Sequence, residues 1–409
     1  MLLGITKKIF YIMLIASVIP AAATAAKSTQ KENDEVAAFA AKFKIDDMNV
    51  ARNIIKEIKK KYGIKDVVKE RIIDVLAKRY NVSAEQFQEL TPITLNMGTL
   101  APANTPWTKL ATETVIPFLY WETGGLVKQR LYAAGAMGED ADILRKMRTG
   151  ELQGCGCNAQ GVIDAAPELS VFALPMLFDN YKQVDCVLDG LRKDIDAIFA
   201  RHGYVLIGLV HTGFFYIYTK NNVTTLAQLK KQKINTWFGK VEKTYMNELG
   251  IKPIPVSVTD IIPSFQTDTI NATITPPGWL LGVQGFVYMH YFLTPPVFYS
   301  PGAIFIDKKQ LDAAVKRYPQ GFANAVIEFA LDFMKIYEIG WRNDIASFEK
   351  KSLEAFKEEG LKEVRLDDPD IKTMRATAKK TWEQLSGNAY SKAWLNRVIQ
   401  QRNKCSLGR

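Results

Sequence analysis

Apolar positions early in the chain recur at helical spacing, then give way to short runs that alternate or stop at glycine. Residues 36–90 are rich in Lys, Glu, Ala and Ile. Ile54, Ile55 and Ile58 share one helical face, and Ile72, Ile73 and Leu76 repeat it 18 residues later. The repeat runs through 54–64 and 72–82. Gly63 and Asn81 both follow a basic last turn, where a left-handed C-cap belongs. Two or three short amphipathic helices with basic outer faces are predicted. They form a unit too small to hold itself strongly, so it is expected to pack on the main body or on a partner.

From residue 91 the texture changes. Strands are predicted over 93–98, 126–133 and 152–157. Helices over 106–120 and 139–149 separate them, with Thr105 as N-cap and Pro106 in the first turn. Strand, helix, strand, helix, strand implies a parallel sheet with crossover helices. A second stretch repeats the texture: strands over 205–219, 233–237, 254–258 and 272–275, with helices over 242–249 and 260–269. From 307 onward the pattern is mostly helical, broken at Pro319, Gly360, Pro369 and Gly387. The predicted fold class is α/β, a two-lobed periplasmic binding protein fold with a hinge near 205–219. A helical N-terminal extension and a helical C-terminal part complete it. Expected divisions are 1–26, 27–90, 91–210, 211–306 and 307–409, the last packing across the lobes.

Composition narrows the class. The 409 residues carry 53 Lys+Arg and 43 Asp+Glu, with 47% hydrophobic and 23% charged residues. These are globular proportions and exclude a disordered, collagen-like or polytopic membrane chain. The 3 His (His202, His211, His290) are far apart and form no spaced ligand motif, so no metal site is expected. The first 26 residues read as a signal peptide: Lys7 and Lys8, an apolar run over 9–19, Pro20, then small residues to Ala26. Export places the chain in the periplasm, where Cys155, Cys157, Cys186 and Cys405 can pair or stay as small buried thiols. Cys405 sits in a tail expected to be loose.

Two lobes on a hinge make a closing cleft, with ligand sites beyond the carboxyl ends of the strands. Four stretches then carry a likeness. They are 131–154 (a strand, a glycine turn and a helix leading to Gln153-Gly154), 167–178 with Leu174-Pro175-Met176-Leu177-Phe178, 226–235 with Lys233-Ile234-Asn235, and 247–275. In order and spacing they resemble the DctP-like solute-binding subunits of TRAP transporters, over about 91–345. The resemblance implies a receptor that delivers a small organic ligand to TRAP membrane subunits. It also implies an Arg after Lys-Ile that grips a substrate carboxylate, and here that place is Asn235. Around it come Trp237, Pro277, Trp279, Phe298 and Phe215, and Phe215 can equally serve the core. Such a site suits a neutral or apolar ligand. Asn158 and Gln160 could hydrogen-bond a ligand or cap the following turn. Asn104 and Trp107 form a further candidate pair, and Arg130 or Arg145 could replace the missing charge.

No nucleophile elbow, P-loop, zinc-protease or dinucleotide motif occurs, so neither an enzyme nor a cofactor is expected. The charge is spread out, and nucleic acid is not an expected partner. Lys59–Lys61, Lys230–Lys233 and Lys379–Lys380 allow transient contact with an anionic membrane surface, although such runs are more often solvated helix faces. The alternative function is a lipid-handling or protein-interaction module that reuses the binding-protein fold.

Overall fold

The computed structural model describes residues 30–42, 45, 47–236 and 239–407. The signal-peptide segment 1–26 and the candidate ligand residue Trp237 lie outside the described residues. The chain divides after Gln88 into two compact units.

The first unit holds helices over 30–42, Met48–Tyr62 and Ile72–Arg79. Asp47 starts the second helix by accepting from the Asn49 N–H at 2.8 Å. Gly63 closes it with φ 72°, its N–H donating to the Lys59 carbonyl, and Asn81 has φ 52°. Ile55, Ile58, Ile72, Ile73 and Leu76 are all buried. The repeated faces therefore form this unit's core, together with Phe39, as periodicity requires.

In the second unit, β1 (Ile93–Thr99), β2 (Val127–Tyr132), β3 (Gly154–Cys157), β4 (Tyr204–Thr219), β7 (Ala272–Thr275), β8 (Tyr291–Asp307) and β9 (Lys362–Arg365) make one sheet. The order is β2-β1-β3-β8-β4-β7, with β9 on β8. A small parallel pair, β5 (Asn235–Thr236) and β6 (Ile254–Pro255), joins at the Ile234–Ala272 bridge. Only β1 with β2 and β3 form the expected parallel set. β8 runs antiparallel to β3 and β4, and β7 antiparallel to β4, so the sheet is mixed.

β8 is the main departure from expectation. Its Pro295-Pro296 pair hid it as a loop, because proline weakens a strand reading. It pairs with β4 along nearly its whole length, from Tyr204 with Asp307 to Thr219 with Tyr291. The lobes are therefore joined by two crossing strands, not one segment. The helix expected over 106–120 spans Pro106–Leu110 and Ile116–Glu122, with a wider turn over Ala111–Val115 between them. Thr105 does not cap it by its side chain. Its hydroxyl donates instead to the Pro102 carbonyl at 2.7 Å.

The 39-residue helix Gln320–Glu358 lies along β4. Asp368–Leu385 packs on helix Lys240–Glu248 in the second lobe, and Lys392–Leu407 packs on helix Tyr181–Gly190 in the first. Cys405 is no loose tail: it stands in that last helix and is bonded to Cys186. Cys155 is bonded to Cys157.

Candidate functional site

The crossing strands bend where the lobes meet. β4 carries an irregularity between His211 and Gly213, and Gly213 has φ 137°. Its missing side chain matters, because a Cβ there would overlap the Glu349 Oε1 of the long helix.

In front of this bend lies a cavity of about 80 Å³ within about 790 Å³ of open space that includes its mouth. The ends of β1 and β3 form one wall, through Thr99, Leu100, Gly156 and Asn158. Trp107 and Trp341 close another, while Val258 and Trp279 come from the second lobe. The indoles are fixed: Trp107 Nε1 donates to the His211 carbonyl at 2.8 Å, and Trp341 Nε1 to the Pro106 carbonyl at 2.9 Å. Among the described residues, no Lys, Arg, Asp or Glu lines this cavity. Arg130 and Arg145 are exposed, and Arg145 pairs with Asp142 at 2.6 Å, so neither supplies a charge to it.

The charges sit behind the wall instead. The His211 ring faces Tyr299 Oη at 2.8 Å from Nδ1 and Asp185 Oδ1 at 3.2 Å from Nε2. Burial holds its pKa below the usual 6.5, against the opposing pull of Asp185. Arg342 pairs with Asp185 at 2.9 Å and with Asp189 and Glu338 at 2.7 Å. Glu349 accepts from the Tyr181 hydroxyl and, at 3.2 Å, from the Phe214 N–H. Burial pushes its carboxyl up to about 8 despite those bonds.

The sequence candidates divide in space. Trp107, Asn158 and Trp279 meet on the cavity wall. Asn158 also caps its helix, its Oδ1 accepting from the Gln160 N–H at 2.8 Å. Asp140 supports that turn from beneath, accepting from the Asn158 and Gly161 N–H groups at 3.2 and 3.1 Å. Gln160 turns aside to donate to Asp164 at 2.7 Å, and its Oε1 lies close to Gly239 of the opposite lobe. Asn104 is exposed in a left-handed turn with φ 62°. Pro277 is buried at the start of helix Pro277–Gly282. Phe215 takes its core alternative, and Phe298 faces it across β4 and β8 in the core, not the cavity, edge-on to Tyr245. Asn235 is fully buried in β5, and among the described residues neither atom of its amide has a hydrogen-bond partner. It is not on the cavity wall.

Met97, Gln129, Leu131, Ile304 and Trp341 also line the cavity and were not foreseen. The strand residues lie on the inward face of an alternating pattern, a signal that marks core as readily as site. Trp341 sits mid-helix, with nothing local to set it apart.

A two-lobed α/β body with a cleft cavity at crossed strands is a solute receptor in form. Residues 97–388 match the model of the DctP family, bacterial extracellular solute-binding protein family 7. The chain belongs to this family, and the helices before residue 89 precede the matched part. Its fold is that of the sugar acid binding protein from Advenella mimigardefordensis in complex with galactonate (TM-score 0.69, 20% identity, covering 78% of this chain and 100% of that one). It is equally that of a TRAP periplasmic solute binding protein from Haemophilus influenzae with bound L-gulonate (0.68, 15%, 76% and 99%). A Haemophilus influenzae protein described as "Uncharacterized protein" is 22% identical over 247 residues, 59% of this chain and 73% of its own length. Among the described residues, no helix is long and apolar enough to cross a membrane.

Proposed function

We infer that this receptor, exported by residues 1–26, takes a neutral or apolar ligand into its cleft and presents it to TRAP-type membrane subunits by lobe closure. The observation that carries the reading is the cavity wall. It is built from Trp107, Trp279, Trp341 and aliphatic groups, with Thr99, Gln129, Asn158, His211 and Thr212 as its polar residues, and among the described residues it bears no Lys, Arg, Asp or Glu. A sugar acid held there would lose the hydration of its carboxylate without a guanidinium in exchange, a large desolvation cost. Asn235 supports the same reading. It stands where the family resemblance implies an Arg, so that place supplies no guanidinium for a carboxylate, although the residue itself is not on the cavity wall.

Closure follows from contacts that span the lobes. Val258 and Trp279 face the first lobe across the cavity, and Glu139 accepts from Thr259 at 3.2 Å. A ligand that touches both walls favours the closed state by its differential contacts. The test is native mass spectrometry of the purified protein, followed by titration with galactonate. A co-purifying neutral or apolar molecule and no galactonate binding are expected. Tight galactonate binding would overturn the neutral-ligand reading while leaving the receptor role intact.

A further inference from the structure

The cleft cavity does not end at its inner wall. A second cavity, also about 80 Å³, lies deeper in the first lobe, between the sheet and the long helix. The two share Met97, Ala111, Gln129, Ile304 and Trp341.

The strands show how they connect. On β1, Ile93 and Leu95 line the inner chamber, Met97 lines both, and Thr99 lines the outer one. On β2 the sequence is Val127, then Gln129, then Leu131, and on β8 it is Ile306, then Ile304. Each set steps by two residues, so each stays on one face of its strand. The helices roof the same path, with Trp107 over the outer chamber, Ala111 over both and Val115 over the inner. The path therefore follows the strand direction, and from Ile93 to Thr99 it covers about 20 Å.

Chemistry selects the occupant. Among the described residues, the polar groups on the inner wall are the Gln129 amide, which already donates to the Met97 sulfur at 3.0 Å, and the Trp341 indole, whose N–H already donates to the Pro106 carbonyl. Water needs two to four polar partners, so the chamber does not suit it, whereas an alkyl chain finds dispersion contacts on every side. At the cleft end Thr99, Thr212 and Asn158 offer neutral hydrogen-bonding groups. We propose that the two chambers form one tunnel for a neutral amphiphile, its uncharged polar head in the cleft and its alkyl tail threaded between the sheet and helix Gln320–Glu358. This rests on the neutral-ligand reading above and deepens it.

The test is calorimetric titration of the full chain with straight-chain primary alcohols from butanol to dodecanol, below their aggregation limits. Affinity is expected to rise about fourfold per methylene, beyond the length that the outer chamber alone can hold. Ala330 lines only the inner chamber, so Ala330→Trp should abolish the gain for octanol and longer alcohols and leave butanol unchanged. Should that variant fail to fold, Ala330→Leu and the chain-length series on the unaltered protein still decide. Binding that starts with butanol but gains nothing with length overturns the tunnel and leaves the neutral-ligand reading standing. No binding by any member of the series overturns both.

Discussion

Glu349 offers a test in which the structure sets both sign and size. The residue is 3% exposed, sits in the long helix behind the crossing strands, and its carboxyl accepts from Tyr181 and the Phe214 N–H. Burial raises its pKa from 4.5 to about 8. Between those values the folded chain holds a proton that the unfolded chain has released. Stability therefore falls as pH rises through that window, and is level above it. The interval from 4.5 to about 8, at about 1.4 kcal/mol per pH unit, amounts to about 5 kcal/mol. Glu349→Gln keeps an acceptor for the Tyr181 and Phe214 donors and removes the titration. The variant should match the parent within about 1 kcal/mol near pH 4.5 and exceed it by several kcal/mol at pH 8.5.

The measurement is urea unfolding followed by tryptophan fluorescence at intervals from pH 4.5 to 9. The informative quantity is the difference between variant and parent at each pH. Asp140, which burial also raises, to about 7, titrates in both proteins and cancels. Parallel stability curves would refute the reasoning, because they would mean that Glu349 is ionised in the fold at no cost. A difference that grows on acidification would refute its sign.

Three other outcomes follow from the same geometry. Gly213→Ala should destabilise by several kcal/mol in the same urea assay, since its Cβ would overlap Glu349 and its φ of 137° disfavours a side chain. Replacing Cys186 and Cys405 together by Ser should cost about 2–5 kcal/mol, because their bond closes 219 residues of chain; equal stability of oxidised parent and variant would contradict it. Asn235→Arg places an unpaired charge at a fully buried position and should cost about 3–5 kcal/mol in the same assay; an unchanged unfolding midpoint would mean that the guanidinium is not buried unpaired there.

The elements that sequence made legible are those with a strong period and a defined end. Helix Asp140–Thr149 has inward Ile143, Leu144 and Met147 and closes at Gly150 with φ 83°. The repeat around Ile55 and Ile73 closes with Gly63 and Asn81 in left-handed turns. β8 was lost because its period is masked: it is buried on both faces over most of its length and carries three prolines. A strand of that kind shows no alternation to read. Strand direction was also beyond reach, since the β4 and β3 partners of β8 lie more than 70 residues away along the chain, and only that long-range pairing decides it.

The site divides along the same line. Trp107, Asn158 and Trp279 come to line the cavity because each follows a strand, and the crevice beyond strand ends is where an α/β sheet leaves room for a ligand. Phe215 and Phe298 looked equivalent in composition, but composition cannot tell a residue past a strand from one paired inside it, and the crossing of β4 with β8 puts both in the core. The inner chamber lay outside this logic altogether. Its walls are the inward faces of β1, β2 and β8 and one stretch of the long helix, residues that any reading assigns to a filled core. A core and a dry binding chamber share one composition. They differ only in whether the opposing faces touch, and that spacing is set by how the bent helix over 106–122 and the helix Gln320–Glu358 rest on the sheet. On the neutral-ligand reading proposed above, no charge on the wall holds a headgroup, so affinity has to come from apolar surface, and surface of that kind is gained by depth.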